Sequence, residues 1–347
     1  MTVGAHAKRH GFRDRLIAAW YAPRKTLLAW TLWPLSLVFR AAVALRRTLY
    51  RIGLLRTHLL QIPVIVVGNV TVGGAGKTPL ALALARALTE RGCRPGIVSR
   101  GYGGSNVSPR AVATGDDSRV VGDEPLLYAK AAIPVWIGHR RAAAAEALVA
   151  ANRQVDVVIA DDGLQHYALA RTLEIVVLDA ARELGNGLML PAGPLREPPA
   201  RLNEAGAIVR LVSRDDAHPA RGGHATRMWL ETLPWRNVAR SDLTPPFDDW
   251  RAGGVHAVAG IAHPERFFAL VSKLGIDAQC HPFADHHHFV REDLSFPDAR
   301  AILMTEKDAV KCVALADERF WYLPVRAHLD PALVDLVLER IHGYQAP

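Results

Sequence analysis

Val64-Ile65-Val66-Val67-Gly68-Asn69-Val70-Thr71-Val72-Gly73-Gly74-Ala75-Gly76-Lys77-Thr78-Pro79 reads as a buried strand, a glycine-rich turn and a helix start in immediate succession. An apolar run precedes the turn and Leu80-Ala81-Leu82-Ala83-Leu84-Ala85 follows it, which gives strand and helix each a core-facing side. This is the layout of a nucleotide phosphate cradle. Glycines let backbone N–H groups close on phosphate oxygens at a helix N-terminus, where the dipole favours anions. The loop residues Thr71, Val72, Gly73, Gly74, Ala75, Gly76, Lys77 and Thr78 are therefore expected to hold the nucleotide. Lys77 would reach the β- and γ-phosphates and the Thr78 hydroxyl would ligate Mg²⁺. The pattern G-x-x-x-x-G-K-[ST] wants glycine where Thr71 stands, so an ordinary glycine-rich strand-to-helix turn is the competing reading.

Outward from this loop, short apolar strands alternate with helical stretches from Gln61 to about Val212, the signature of βαβ units on a mostly parallel sheet. Strands are expected at 64–68, 96–99, 134–137, 155–160, 174–179 and 207–212, and helices at 77–91, 123–131, 139–151 and 200–205. Met228 to Val238 reads as an extended connection, and the Pro-rich Ser241 to Trp250 follows it. A smaller α/β unit starts at Val255, with a helix near 264–274 and strands near 276–281, 301–304 and 320–323. The division is thus a 1–58 N-terminal membrane-associating segment and a 59–226 domain like a P-loop NTPase, its mostly parallel sheet flanked by helices. A 227–252 linker, a 253–330 second α/β domain and a 331–347 helix that folds back on the first domain complete the chain.

The chain has 347 residues, half of them hydrophobic, so a two-domain core is available. Cys93, Cys280 and Cys312 are far apart and in no C-x-x-C pair, which argues for packed thiols in a reducing compartment. The net charge of +8 is unevenly placed: residues 1–60 hold eleven Lys/Arg, Lys8 and Arg9 among them, against the single acid Asp14. Beside these charges lie Trp20, Tyr21 and the apolar Leu27 to Val38, with Trp30 and Trp33. Basic residues next to a Trp-bearing apolar helix suit an anionic membrane surface. A transmembrane span is interrupted by Pro34 and Arg40 after about twelve apolar residues, short of the ~20 it needs. A signal peptide, a nucleic-acid arm and a helix packed on the core are the other readings; the apolar faces count against nucleic acid.

Five further stretches carry chemistry. Val155 to Ala160 is an apolar strand ending in Asp161-Asp162, and carboxylates at the end of a parallel strand beside a phosphate loop hold Mg²⁺. Asp-Asp-Gly is also good turn chemistry, and Asp179 after the next strand is a rival acid. Gly122-Asp123-Glu124-Pro125 either caps a helix or offers a carboxylate to an acceptor hydroxyl. Ala284-Asp285-His286-His287-His288 is the densest histidine cluster; an Asp–His pair working as acid/base suits it better than zinc, since adjacent histidines splay apart. Thr305-Glu306-Lys307-Asp308 faintly resembles a GTPase base-recognition signature and equally a solvated helix start. Arg100, in the loop Ser99-Arg100-Gly101-Tyr102-Gly103-Gly104, could neutralise an acceptor phosphate.

These stretches, together with Leu190-Pro191-Ala192-Gly193-Pro194-Leu195-Arg196-Glu197, resemble in order and spacing the tetraacyldisaccharide 4′-kinase family, the lipid A 4′-kinases of Gram-negative bacteria. The likeness runs from the N-terminal apolar helix to the end of the second domain. The family's loop also begins Gly-Asn with Thr near position 71. The resemblance implies ATP and Mg²⁺ as cofactors and transfer of the γ-phosphate to the 4′-hydroxyl of an acylated glucosamine disaccharide 1-phosphate. It places the reaction at the cytoplasmic face of the inner membrane. It implies Asp123 as catalytic carboxylate, His286 as its partner, Asp285 as orienter, and Lys77 and Thr78 in the phosphate loop. Asp161 and Asp162 become the metal-side acids, Arg100, Gln165 and Glu197 substrate contacts, and Lys307 a nucleotide contact. The alternative class is a membrane-recruited GTPase switch or chaperone, which would prefer GTP and hydrolyse it without an acceptor.

Overall fold

The computed structural model describes residues 11–214, 225–251 and 253–346; Lys8 and Arg9 of the basic segment lie outside them. Two helices, α1 (Phe12–Trp20) and α2 (Leu27–Arg51), precede strand β1 (Val64–Gly68). There follow α3 (Lys77–Glu90), β2 (Pro95–Ser99), β3 (Arg110–Ala111), α4 (Ser118–Val121), α5 (Asp123–Lys130), β4 (Val135–Ile137), α6 (Arg141–Ala151), β5 (Val157–Asp161), β6 (Leu173–Asp179), β7 (Ala207–Leu211) and β8 (Ala225–Thr232). The second unit carries β9 (Arg236–Asn237), α7 (Phe247–Arg251), β10 (Val255–Ala259), α8 (Pro264–Lys273), β11 (Gln279–Pro282), β12 (Ala301–Thr305), α9 (Glu306–Cys312) and β13 (Phe320–Leu323). Last come β14 (Val325–Leu329) and α10 (Pro331–His342).

Among the described residues the strands form two sheets. The first has nine strands in the order β14-β8-β7-β6-β1-β5-β2-β4-β3, parallel except at its two edge pairs. The second has five, in the order β11-β10-β12-β13-β9, with only β9 antiparallel. β1, β5 and β6 are buried along nearly their whole length, as the continuous apolar runs require of central parallel strands. The register sets Val67 beside Asp161, so the phosphate loop leaving β1 and the acids leaving β5 share one edge of the sheet. Parallel sheets bind ligands at that carboxyl edge.

Two boundaries differ from the sequence reading. The stretch expected as a linker, 227–252, contains most of β8, a strand of the first sheet, and β9, a strand of the second. β14 lies within the expected second domain, yet it pairs antiparallel with β8 in the first sheet, Ala327 opposite Leu230. Only pairing with a distant segment reveals this. α10 then packs Leu333 and Val337 into the core around α3.

α2 runs unbroken through Pro34 and Arg40, where an interruption was expected. Pro34 removes only one N–H, and the carbonyl it leaves, that of Trp30, is on an exposed face. Thr26 caps the start by accepting from the Ala29 amide at 3.2 Å. The helix is strapped to the first domain by the Ser36 hydroxyl, which donates to the Met189 carbonyl at 2.7 Å. Phe39 and Val43 pack on the cluster around Val70, Val176 and Leu195.

Candidate active site

The phosphate loop is built by two constraints. Val72 donates its N–H to the Pro194 carbonyl at 2.8 Å, and Thr71 pairs with Leu195, which ties the start of the loop to the segment 190–197. Val72 therefore has no amide left for a phosphate, and Thr71, 7 % exposed, accepts from the Asn69 side chain instead. Val72 thus shapes the loop rather than offering the N–H expected of it, while the Thr71 side chain braces the turn. Gly76 turns the chain into α3 at φ +90°, left-handed backbone that disfavours a side chain. Among the described residues no backbone carbonyl accepts from Gly73, Gly74, Ala75 or Gly76. Lys77 opens α3 and donates to Asn69 Oδ1 at 3.2 Å, with Asp162 Oδ1 3.6 Å away.

At the end of β5 the two acids separate by environment. Asp161 is fully buried, and its Oδ2 accepts from the Tyr128 hydroxyl at 2.8 Å while Oδ1 has no partner. Burial and the nearby Glu124 charge push its carboxyl up to about 7. Thr78 also acts on the Tyr128 hydroxyl, so Thr78 and Asp161, two of the three residues expected on Mg²⁺, flank one phenol. A buried acceptor without a donor, repelled by its neighbours and close to a hydroxyl, is an environment that a hard divalent cation fits. Asp162 is held differently. Burial would raise its carboxyl, but Lys77 and Arg196 outweigh this and hold it well below the usual range. Arg196 grips it with two hydrogen bonds, 2.8 and 3.2 Å, and also donates to the Asn69 carbonyl at 3.0 Å. Asp162 adopts φ 47°, left-handed backbone that few non-glycine residues occupy outside functional sites.

The second half of the site comes from the other domain. His286, on the loop after β11, has its Nδ1 3.0 Å from both carboxylate oxygens of Asp123 at the start of α5. It too has left-handed backbone, φ 60°, and the ring of Tyr102 lies 4.6 Å from its own. Asp123 is 3 % exposed and enclosed by cations: Lys307 Nζ at 3.9 Å and Lys311 Nζ at 4.0 Å. Burial raises the Asp123 carboxyl, and Lys307, His286 and Lys311 together more than offset it, so the group sits below its ordinary value. Lys311 is itself fixed by Asp308 at 2.6 Å, and Asp308 accepts from Thr305 and from the Gly260 amide.

Gly122 fixes the approach. It has φ +86°, and a Cβ there would meet the Tyr102 carbonyl oxygen at 2.6 Å. Gly122→Ala is expected to cost about 1–2 kcal/mol in backbone strain alone and to displace Asp123 from His286. Chemical denaturation and kcat measured together should both fall; an unchanged kcat would separate Asp123 placement from turnover.

Several expected residues sit elsewhere than the sequence suggested. Lys307 was expected on the nucleotide; its Nζ donates to Glu124 at 3.1 Å and lies 3.4 Å from His286 Nε2, within the carboxylate cluster. Asp308 is fully buried, so Thr305 to Asp308 is neither a solvated helix start nor free to read a base. Asp285 is 3.8 Å from His286 Nε2, beyond a hydrogen bond, and Asp123 is the group that orients the ring. His287 and His288 point elsewhere, to Asp293 at 2.8 Å and the Gly103 carbonyl at 3.2 Å. Gln165 donates to the Asn69 carbonyl at 3.3 Å, and Glu197, fully buried, accepts from Tyr167. Arg100 is exposed. Asp179 is paired with Arg266 at 2.6 Å. The sequence reading missed Asn69, Tyr128, Arg196 and Lys311. Arg196 and Asn69 stood inside the quoted motifs, and the residue that binds both the loop and Asp162 could be sought there.

The family model described as tetraacyldisaccharide-1-P 4′-kinase matches residues 28–342. The chain belongs to that family. It is a kinase of lipid A biosynthesis. A tetraacyldisaccharide 4′-kinase of Alkalilimnicola ehrlichii is 48 % identical over 337 residues, 95 % of this chain and 98 % of that one. One of Dechloromonas aromatica is 46 % identical over 329 residues, 94 % and 97 % of the two chains. A crystal structure of LpxK from Aquifex aeolicus, in an "apo" form in complex with ATP, matches with a TM-score of 0.76 and 29 % identity, covering 91 % of this chain and all of that one.

Proposed function

We propose that this enzyme transfers the γ-phosphate of ATP to the 4′-hydroxyl of a tetraacyl glucosamine disaccharide 1-phosphate at a membrane surface. The Asp123–His286 pair acts as acid and base. The observation that carries the reading is that pair itself, a carboxylate of one domain 3.0 Å from an imidazole of the other. Closing the cleft thus assembles the group that takes the acceptor proton, as domain closure does in kinases. The loop amides and Lys77 hold the β- and γ-phosphates and stabilise charge that grows on them. Thr78 and Asp161 would hold Mg²⁺, which when bound neutralises phosphate charge; Asp162, gripped by Arg196 and Lys77, positions the loop beside it. Asp123 and His286 share the proton as a coupled unit, and Lys307 and Lys311 keep the carboxylate ionised for it. Arg100, exposed just after β2, is left to meet the anionic acceptor.

α2 supplies the membrane contact. At about 100° per residue, Leu27, Trp30, Leu37, Val38 and Leu45 share one exposed side, and Ala29, Ser36, Phe39 and Val43 share the opposite, domain-facing side. One helix with two apolar faces, one already packed, lies along a bilayer surface more readily than it spans it. The acylated acceptor stays in the bilayer, so the enzyme goes to it, at the cytoplasmic face where ATP is available. Changing Trp30, Leu37 and Val38 together to Ser should lower vesicle partition at least about tenfold, at about 1.5–3 kcal/mol per buried apolar side chain, with Tm unaltered. Undiminished flotation would put the anchor elsewhere.

Incubation with Mg²⁺, the disaccharide 1-phosphate and either ATP or GTP, read by mass spectrometry, tests the reaction. A product heavier by one phosphate that forms with ATP supports it. Hydrolysis of GTP without acceptor phosphorylation would support the switch instead.

A further inference from the structure

The phosphate loop has a second neighbour besides the segment 190–197, and it comes from the other domain. Ala262 and His263 lie in the turn between β10 and α8. A Cβ placed on Gly73 would have only His263 Nε2 within 4 Å, at 3.8 Å, and one placed on Gly74 would meet the Ala262 methyl at 3.4 Å. These are two of the loop residues whose amides no backbone carbonyl accepts from, so an imidazole stands beside the part of the loop that is open to a phosphate.

The position of that imidazole is fixed from two sides. Arg266, in the first turn of α8, pairs with Asp179 at the end of β6 at 2.6 Å, and Glu265 pairs with Arg182 at 3.3 Å. Both contacts fasten the start of α8 to the first domain. On the other side, the Gly260 carbonyl just after β10 accepts from the His286 amide at 3.1 Å. β10 and β11 are parallel neighbours, so one edge of the second sheet carries both histidines, His286 against Asp123 and His263 against the phosphate loop.

His263 is also placed to answer an anion. Its side chain is 14 % exposed, its Nδ1 lies 3.5 Å from Glu265 Oε1, and among the described residues Nε2 enters no hydrogen bond or ion pair. Burial and the Arg182 charge push the ring's pKa down, Glu265 pulls it up, and Arg266 and Asp179 add smaller, opposed effects. A phosphate oxygen at Nε2 would supply negative charge across the ring from Glu265 and favour the protonated form, which donates from both nitrogens.

We propose that His263 is a catalytic contact supplied by the second domain, whose Nε2–H donates to the γ-phosphate of the nucleotide held by the Gly73–Thr78 loop and stabilises the charge on its oxygens during transfer. An arginine finger does this in other phosphate-loop enzymes. The γ-phosphate is assigned because the group that moves must lie between the loop and the acceptor, and the sheet edge that brings His263 to the loop brings His286 to Asp123. The proposal rests on the reading of this site as a phosphoryl-transfer centre.

Wild type, His263→Ala and His263→Gln are titrated calorimetrically with Mg²⁺ and either ADP or a non-hydrolysable ATP analogue, and kcat is measured at saturating ATP. In His263→Ala, affinity for the ATP analogue should fall about tenfold or more, the scale of a hydrogen bond to a charged group, while ADP affinity and Tm hold. Its kcat should fall about 10²-fold, as when one preorganised donor to a developing charge is removed. His263→Gln, which keeps an N–H near the position of Nε2, should recover part of both losses. Equal weakening of ADP and analogue would mean that His263 only props the phosphate loop, and wild-type affinities and kcat in His263→Ala would mean that it touches no phosphate; either overturns the proposal. The ratio of analogue to ADP affinity tests His263 by itself, whereas a wild-type enzyme that binds ATP and leaves the disaccharide unphosphorylated would count against the transfer reading instead.

Discussion

Asp123→Asn is expected to lower kcat by about 10²–10⁴, the range in which a positioned acid/base group contributes, while ATP binding is about unchanged. The substitution keeps the side chain's size and its place against His286, and it removes only the charge. The cations around it retain partners: Lys307 still has Glu124 at 3.1 Å and Lys311 still has Asp308 at 2.6 Å. The fold should therefore survive, and the loss should fall on transfer. Steady-state kinetics beside calorimetric titration of a non-hydrolysable nucleotide separates the two. Weak nucleotide binding with normal kcat at saturation would move Asp123 out of the transfer step and into the nucleotide site.

Lys77→Met carries the second large effect, a fall in kcat/KM for ATP of about 10²–10³, the scale on which removing one preorganised charge-stabilising contact acts. Met preserves the aliphatic stem and removes the ammonium that reaches toward Asn69 Oδ1 and Asp162. Asp162 keeps the two-pronged contact from Arg196, so the loop should hold its shape. Arginine at this position should fail nearly as badly, because its planar fork cannot replace a point charge in a space already shared with Arg196. Near-normal ATP turnover in Lys77→Met would mean that the loop amides alone hold the phosphates.

Much of this site was legible because its parts are local. A buried strand, glycines and Lys-Thr are adjacent in sequence, and so are an apolar strand and Asp161-Asp162; β1, β5, α3 and α5 fall within two residues of their expected ends. What escaped was whatever depends on partners far along the chain. The Val72 amide is consumed by a carbonyl more than a hundred residues away, and β14 joins a sheet whose neighbouring strand is nearly as distant. Tyr128 looks like a core aromatic until its hydroxyl is found on Asp161. Lys307 illustrates a different limit: a lysine's task is set by the charges around it, and here two of them, Asp123 and Glu124, come from the first domain and one, Asp285, from its own. The run of α2 through Pro34 was hidden because the cost of an interior proline is offset by contacts with distant segments, such as the Ser36 bond to Met189.

The central claim is that each domain supplies one member of a single acid/base pair, and a double-mutant cycle on single-turnover transfer tests it most directly. Wild type, Asp123→Asn, His286→Asn and the double variant are mixed with radiolabelled ATP, Mg²⁺ and the disaccharide 1-phosphate, and labelled acceptor is followed over time. Both single variants should be strongly slowed, and the double variant about as slow as the worse of them, since breaking either half disables the same unit. Losses that simply multiply, or a His286→Asn enzyme that transfers at the wild-type rate, would show that the two residues do not work as a pair.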